Sequence, residues 1–190
     1  QSLKGVALLS LALNLPGPAA LMRCQRMGAR CVKLEPPARG EGAARSSGDP
    51  MATYNPGAYA ALHHGVRVQS ADLKTEAGQK ILHRALAKTD VLLTSSRPSA
   101  LKRLGLTWAR LHRLYPLLSW VSIVGAPGAQ AEIAGHDLSY LADQDLITDL
   151  TLPATLYADM GGALVASEAV LQARVHQLQT GRGLRVEVAL

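Results

Sequence analysis

Phenylalanine is absent from this 190-residue chain, and the only other aromatics beside histidine are two Trp and five Tyr. A core must therefore be assembled from Leu, Val, Ile and Ala, and few rings are available to stack on nucleic-acid bases. Cysteine occurs twice, as Cys24 and Cys31, in no CxxC or other metal-like spacing. The pair excludes a cysteine-built zinc site, so no metal is expected, and it reads as core thiols of a reducing compartment. No apolar run approaches the roughly 20 residues that span a bilayer. The run from Gly5 to Leu13 behind Lys4 could pass for a signal-peptide core. However, Asn14-Leu15-Pro16-Gly17-Pro18 follows it, as where a buried strand turns into a helix. GxGxxG and GxxxxGK[ST] are both missing, so neither a dinucleotide fingerprint nor a P-loop is supported.

What is present describes a folded domain. The hydrophobic fraction is 48% and the charged fraction 18%, in a chain long enough for one substantial core. The formal net charge of +6 favours anionic partners. The Lys and Arg residues are scattered without neighbouring aromatics, so a phosphorylated small molecule fits as well as nucleic acid.

Read in order, Val6–Leu13 is an apolar run expected of a strand buried on both faces. Pro18 opens a helix that Gly28 closes, and Ala29–Glu35 reads as a second strand, completing one βαβ unit. Pro36–Pro50 is rich in Pro, Gly, Ser and Arg with almost nothing to bury, a mobile surface loop. Met51–Gly65 is ambiguous, with a helical turn at Ala58–Leu62. A strand over Val66–Ala71 leads into a helix running through Lys88, its inner face carrying Ile81, Leu82, Ala85 and Leu86. Asp90–Thr94 and Leu118–Val124 are further strands, with short helices at Ala100–Leu104 and from Thr107 to Tyr115. A helix is expected over His136–Asp143. A long one follows over Asp159–Thr180, repeating Leu164, Leu171, Val175 and Leu178 until Gly181 ends it. Leu184–Leu190 begins a strand. The alternation predicts an α/β fold with an open, mostly parallel sheet and flanking helices. Ligands of such sheets sit at the carboxyl ends of strands, here Asn14–Pro18, Pro36 onward, Ser95–Ser99 and Gly125–His136.

Chemistry concentrates in few places. His83, His112 and His176 fall on polar helical faces and are expected to be exposed; His63 and His64 sit in a loop where they could touch an anion. His136 stands apart, in a Gly135-His136-Asp137 turn at a helix start. Asp159 sits at the start of the long helix, where a capping role is the ordinary reading. Gly161 and Gly162 after it would let a ligand approach closely. Arg97 and Arg103 are candidate phosphate clamps.

A run of segments in order carries a resemblance. These are Leu3-Lys4-Gly5-Val6 with Pro16-Gly17-Pro18; Gly28-Ala29-Arg30 with Val32-Lys33-Leu34-Glu35; and Ala71-Asp72-Leu73-Lys74. Then come Ser96-Arg97-Pro98 with Arg103-Leu104-Gly105-Leu106, Ala134 to Tyr140, Ala158 to Gly162, and Thr180-Gly181-Arg182-Gly183. Together they resemble the CaiB/BaiF, or family III CoA-transferase, superfamily, and within it the alpha-methylacyl-CoA racemases. The resemblance implies a Rossmann-like CoA-binding domain over 1–183. Residues 184–190 would begin a strand leading to a continuation that this chain does not contain. It implies an interlocked homodimer in the cytoplasm, acting on an acyl-CoA thioester, with neither nucleic acid nor membrane as partner. CoA would enter as part of the substrate and no cofactor would be bound covalently.

The same resemblance assigns roles. His136 and Asp159 would be the acid/base pair of an acyl-CoA racemase, interconverting 2-methylacyl-CoA epimers by 1,1-proton transfer through an enolate. CoA contacts would fall on Ala71, Asp72, Leu73, Lys74, Ser95, Ser96, Arg97, Pro98, Ser99, Arg103, Gly135, Asp137 and Tyr140. A family III CoA-transferase would instead use Asp159 as nucleophile, and a non-catalytic CoA-binding remnant is the third reading.

Overall fold

The computed structural model describes residues 1–38 and 47–190, so residues 39–46 of the expected Pro36–Pro50 loop lie outside the described residues. The elements follow in order as β1 (Ala7–Ser10), α1 (Pro16–Arg26), β2 (Arg30–Glu35), α2 (Met51–Tyr54) and α3 (Pro56–Leu62). Next come β3 (Arg67–Ser70), α4 (Glu76–Leu86), β4 (Val91–Thr94), α5 (Pro98–Arg103), α6 (Trp108–Leu114) and β5 (Ser119–Val124). A 3₁₀ turn over Gly128–Glu132 precedes α7 (Asp137–Asp143), α8 (Tyr157–Thr180) and β6 (Arg185–Ala189).

Every residue of β1, β4 and β5 is buried, which explains why these runs are apolar without alternation. Their side chains nonetheless alternate in space. Leu8, Val91, Leu93, Val121 and Ile123 enter the core under α1 and α8, while Leu9, Leu92 and Trp120 enter the core under α4, α5 and α6. All pairings are parallel and the sheet order is β3-β2-β1-β4-β5-β6. This is the expected α/β fold. The chain winds outward from β1 through β2 and β3, then restarts at β4 beside β1, so the switch point lies between β1 and β4. The strand at Arg185–Ala189 pairs with β5 and is the sixth member of the same sheet.

Local signals set the helix ends. Thr75 accepts the Gly78 N–H at 3.0 Å and Thr107 the Arg110 N–H at 3.4 Å, both as N-caps. Gly181, at φ 68°, closes α8 in the left-handed conformation that glycine adopts without strain. The stretch Met51–Gly65 resolves into two short helices. His83, His112 and His176 are half-buried, not exposed. His83 Nδ1 lies 2.9 Å from the Tyr115 hydroxyl, and the His112 ring stacks on Trp108 at 4.6 Å.

Helix α8 departs most from expectation. Its large residues Leu164, Val175 and Leu178 are exposed, and its buried side is Gly162, Ala163, Ala166, Ala169, Val170 and Ala173. Small side chains allow α8 to lie close against the sheet and against Ala19, Ala20, Leu21 and Cys24 of α1. Gln177 ties its far end down, donating from Nε2 to the carbonyls of Asp90 at 2.8 Å and Leu117 at 2.7 Å. Gln177→Met is expected to cost about 1 kcal/mol in urea unfolding. The Asp90 carbonyl would keep its bond from Ser119 N–H, only Leu117 would be orphaned, and the buried Oε1, partnerless among the described residues, would go.

Candidate active site

The carboxyl ends of β1, β4 and β5 open onto a recess of about 130 Å³. Asn14, Pro16, Ser95, Gly125, Gly135, His136, Tyr140 and Asp159 are among the residues that line it. A second recess of about 200 Å³ shares Ser95, Gly125, Gly135, His136 and Tyr140 and extends to Ser96 and Arg97. The two form one cleft along the switch point. Gly125 and Gly135 are needed there because a Cβ at either would run into the Tyr140 ring.

Two helix starts position the ionisable pair. His136 immediately precedes α7; its N–H donates to Ser139 Oγ at 2.9 Å, and that hydroxyl donates back to the His136 carbonyl at 2.7 Å. Asp159 lies in the first turn of α8, after the N-cap position held by Leu156, so it is not the cap that its sequence position suggested. Its own N–H donates to Asp137 Oδ1 at 2.8 Å. Asp137 is buried, and it acts electrostatically on Asp159. Burial, then the Asp137 charge, push the Asp159 carboxyl up to about 6, against a smaller opposing pull from His136. A carboxyl poised there can take and return a proton near neutral pH.

The cleft thus brings together His136, Asp159, Ser95, Ser96, Arg97, Gly135 and Tyr140, with Asp137 below. Other expected contacts lie outside it. Ala71–Lys74 forms the turn from β3 to α4, where Asp72 Oδ1 accepts the Lys74 N–H at 3.0 Å, on the far side of β2 from β1. The start of α5 is occupied by Glu132, whose carboxylate accepts from Ser99 N–H and Oγ, each at 2.7 Å. Pro98 faces a separate pocket beside Trp108 and Trp120, and Arg103 projects to solvent from the last turn of α5. A larger groove of about 670 Å³ opens by the amino ends of β1, β2 and β3, at Ala7, Arg30 and Arg67. It holds none of the expected site residues, and it lies at the wrong ends of the strands for ligand chemistry.

Sequence reasoning missed a buried polar cluster next to the cleft. Lys33 and Glu35 alternate onto the same face of β2, and Asp49 and His63 meet them there; all four are buried. Lys33 Nζ donates to Asp49 Oδ2 at 2.5 Å and to Glu35 Oε1 at 3.0 Å, and lies 2.8 Å from His63 Nε2. His63 Nδ1 is 2.7 Å from the Tyr59 carbonyl, so the ring is assigned as neutral, donating from Nδ1 and accepting at Nε2. Burial holds its pKa below the usual histidine range. Glu35 also accepts from the hydroxyls of Tyr59 and Ser47. Glu35, Asp49 and His63 are metal-ligating types within reach of a common ion, but they converge on the Lys33 ammonium, which supplies the cation itself. The signal was the period-2 pairing of Lys33 with Glu35 inside an otherwise apolar strand.

The fold and cleft define a doubly wound parallel α/β protein with a histidine and a carboxylate at its switch point. A family model described as CoA-transferase family III matches residues 3–190, and the chain belongs to that family. It is 28% identical to a succinate–glutarate CoA-transferase of Agrobacterium fabrum, over 99% of this chain and 50% of the relative. It is equally 28% identical to the human alpha-methylacyl-CoA racemase, over 96% of this chain and 46% of the relative. A solved CAIB/BAIF family protein from Brucella suis superposes with a TM-score of 0.78 at 26% identity, over 98% of this chain and 52% of the other. The chain spans about half the length of the curated relatives it matches. Among the described residues no helix is long and apolar enough to cross a membrane.

Proposed function

We propose that the protein interconverts 2-methylacyl-CoA epimers by 1,1-proton transfer, with His136 and Asp159 as the acid/base pair. The observation that carries this is their place at the starts of two helices that line one recess, with Asp159 held near 6. A thioester acidifies the α-proton; one group removes it from one face and the other returns a proton to the opposite face. The start of α8, with Gly161 and Gly162 close behind it, would favour the enolate oxygen through the positive end of the helix dipole. Arg97 at the mouth of the cleft would meet the phosphates of CoA, which enters with the substrate and needs no further cofactor. The reading includes a homodimer, supported by Leu164, Val165 and Leu178 standing exposed along α8. It also includes a cytoplasmic setting, supported by Cys24 and Cys31 as buried free thiols.

In deuterated water the protein should exchange the α-proton of either 2-methylacyl-CoA epimer. His136→Ala should lower that rate by about 10²-fold or more, followed by proton NMR. A second reading rests on the same Asp159 and on relatives that are CoA-transferases: there the carboxylate attacks the acyl carbonyl of the thioester, forming a mixed anhydride as the C–S bond breaks and the CoA thiolate leaves. Acyl transfer lost in Asp159→Ala but retained in His136→Ala would select it over the racemase.

A further inference from the structure

The loop from β1 to α1 has an unusual corner. Asn14 has φ 63°, the left-handed region that a non-glycine residue enters only when its surroundings hold it there. Two bonds do so. The Leu13 N–H donates to Ser95 Oγ at 3.2 Å, and the Asn14 N–H donates to Asp49 Oδ1 at 3.0 Å. The same Oδ1 accepts the Met51 N–H at 3.0 Å, so one carboxylate fixes both this corner and the start of α2. Asn14 itself is exposed, and its place in the cleft wall depends on the backbone bond.

Asp49 can hold that position because its other oxygen is bound by Lys33, which carries no exposed surface. All three ammonium protons are directed: to Asp49, to Glu35 and to the neutral His63. Glu35 is held in turn by Tyr59 and Ser47. A buried carboxylate without this partner would be driven to protonate or move toward water, and the corner would move with it. The tether therefore runs from Lys33 through Asp49 to the Asn14 N–H, and ends in the lining of the recess that also holds Asp159.

We infer that Lys33 is a positioning residue of the cleft, acting through Asp49 to hold the Asn14 corner against Asp159. Its consequence for turnover rests on the acid/base reading above, but the geometry does not. With the corner in place, Leu13, Asn14 and Pro16 line the same recess as Asp159. With it released, water enters and the main cause of the raised Asp159 titration is lost. Of the other groups that interact with Asp159, Asp137, His136 and Tyr140 lie outside the tether, whereas Tyr54 belongs to α2, whose start Asp49 also fixes; Asn14→Val, which spares Asp49, separates the two.

The test is a carboxyl-carbon NMR titration of Asp159 in the folded protein, which needs no substrate and no activity. Lys33→Met should lower the midpoint from about 6 by roughly one unit or more. Asn14→Val, which leaves the buried cluster intact and places a β-branched residue at a positive φ, should produce the same shift. Asn14→Gly, which accepts that φ and keeps the N–H, should retain the wild-type midpoint. Should Lys33→Met not fold, Asp49→Leu carrying Lys33→Met removes both charges together and is read in its place. An unchanged midpoint in a folded Lys33 variant and in Asn14→Val would overturn the inference. Where activity is measurable, the same variants should lower kcat more than they raise KM. A shifted midpoint with no proton exchange in any variant would instead retain the positioning role and sink the racemase reading.

Discussion

Replacing Asp159 with asparagine should abolish turnover and, at pH 8, make the folded protein more stable. The carboxyl titrates at about 6 in the folded chain against an ordinary 3.8, so between these values the folded state holds more proton than the unfolded state. Stability is therefore lost as pH rises through that window, and the full penalty is present above it. Two units correspond to about 3 kcal/mol, and the partial exposure of the group reduces this to about 1–2 kcal/mol. Asparagine is neutral at every pH and removes the penalty. Its thermal midpoint should rise by about 3–6 °C at pH 8 and match the parent below pH 4, measured by calorimetry. Proton exchange or acyl transfer should fall by about 10²–10⁴-fold, since no group at that position could exchange a proton or attack a carbonyl. A variant no more stable than the parent at pH 8 would show that Asp159 titrates normally.

The second large effect lies in packing, and its sign runs against side-chain hydrophobicity. Ala166→Leu should destabilise the protein by about 2–3 kcal/mol, although it adds apolar surface to a helix. Ala166 is fully buried, in the same core as Ala169 and Ala173 of α8 and Ala20 and Cys24 of α1. A leucine there must push α8 off the sheet, and with it the turn that carries Asp159. Leu164→Ala on the outward face should change stability by less than about 0.5 kcal/mol, because Leu164 is half-exposed. Urea midpoints of the two variants distinguish the cases: a larger loss from Leu164→Ala would mean that the outward stripe is the packed one.

These two residues also mark where sequence reading succeeds and fails. The strands were legible because burial on both faces demands apolar runs, and β1, β4 and β5 have no exposed position to break the pattern. The helix start at Thr107 and the stop at Gly181 were legible because each acts on its own helix end. The stripe Leu164, Leu171, Val175 and Leu178 misled, because helical periodicity marks a face without saying whether large or small residues pack inward. Alanines won here because the distance between α8, α1 and the sheet leaves no room for leucine.

The cleft was partly legible. His136 and Asp159 stood out only through the family segments around them; by position alone each resembled a helix-end residue. The contacts expected at Ala71–Lys74, Ser99 and Arg103 follow their motifs, yet they lie outside the cleft, the first across β2 and the second bound to Glu132. Asp49 was the larger omission. It lies in a stretch rich in Pro, Gly, Ser and Arg, where composition predicts a solvated loop, and it is buried beside Lys33.

The sequence by itself determined the family and the alternation of strands and helices, because each depends on residue order alone. Tertiary structure decided which groups meet. It alone carried Asp159 out of its ordinary range, by placing burial and the Asp137 charge beside it. It alone built one buried ion cluster from Lys33, Glu35, Asp49 and His63. Desolvation and ion pairing depend on distance in space, and residues 16 or 30 apart in the chain, as Lys33 is from Asp49 and His63, become neighbours only when the sheet is closed.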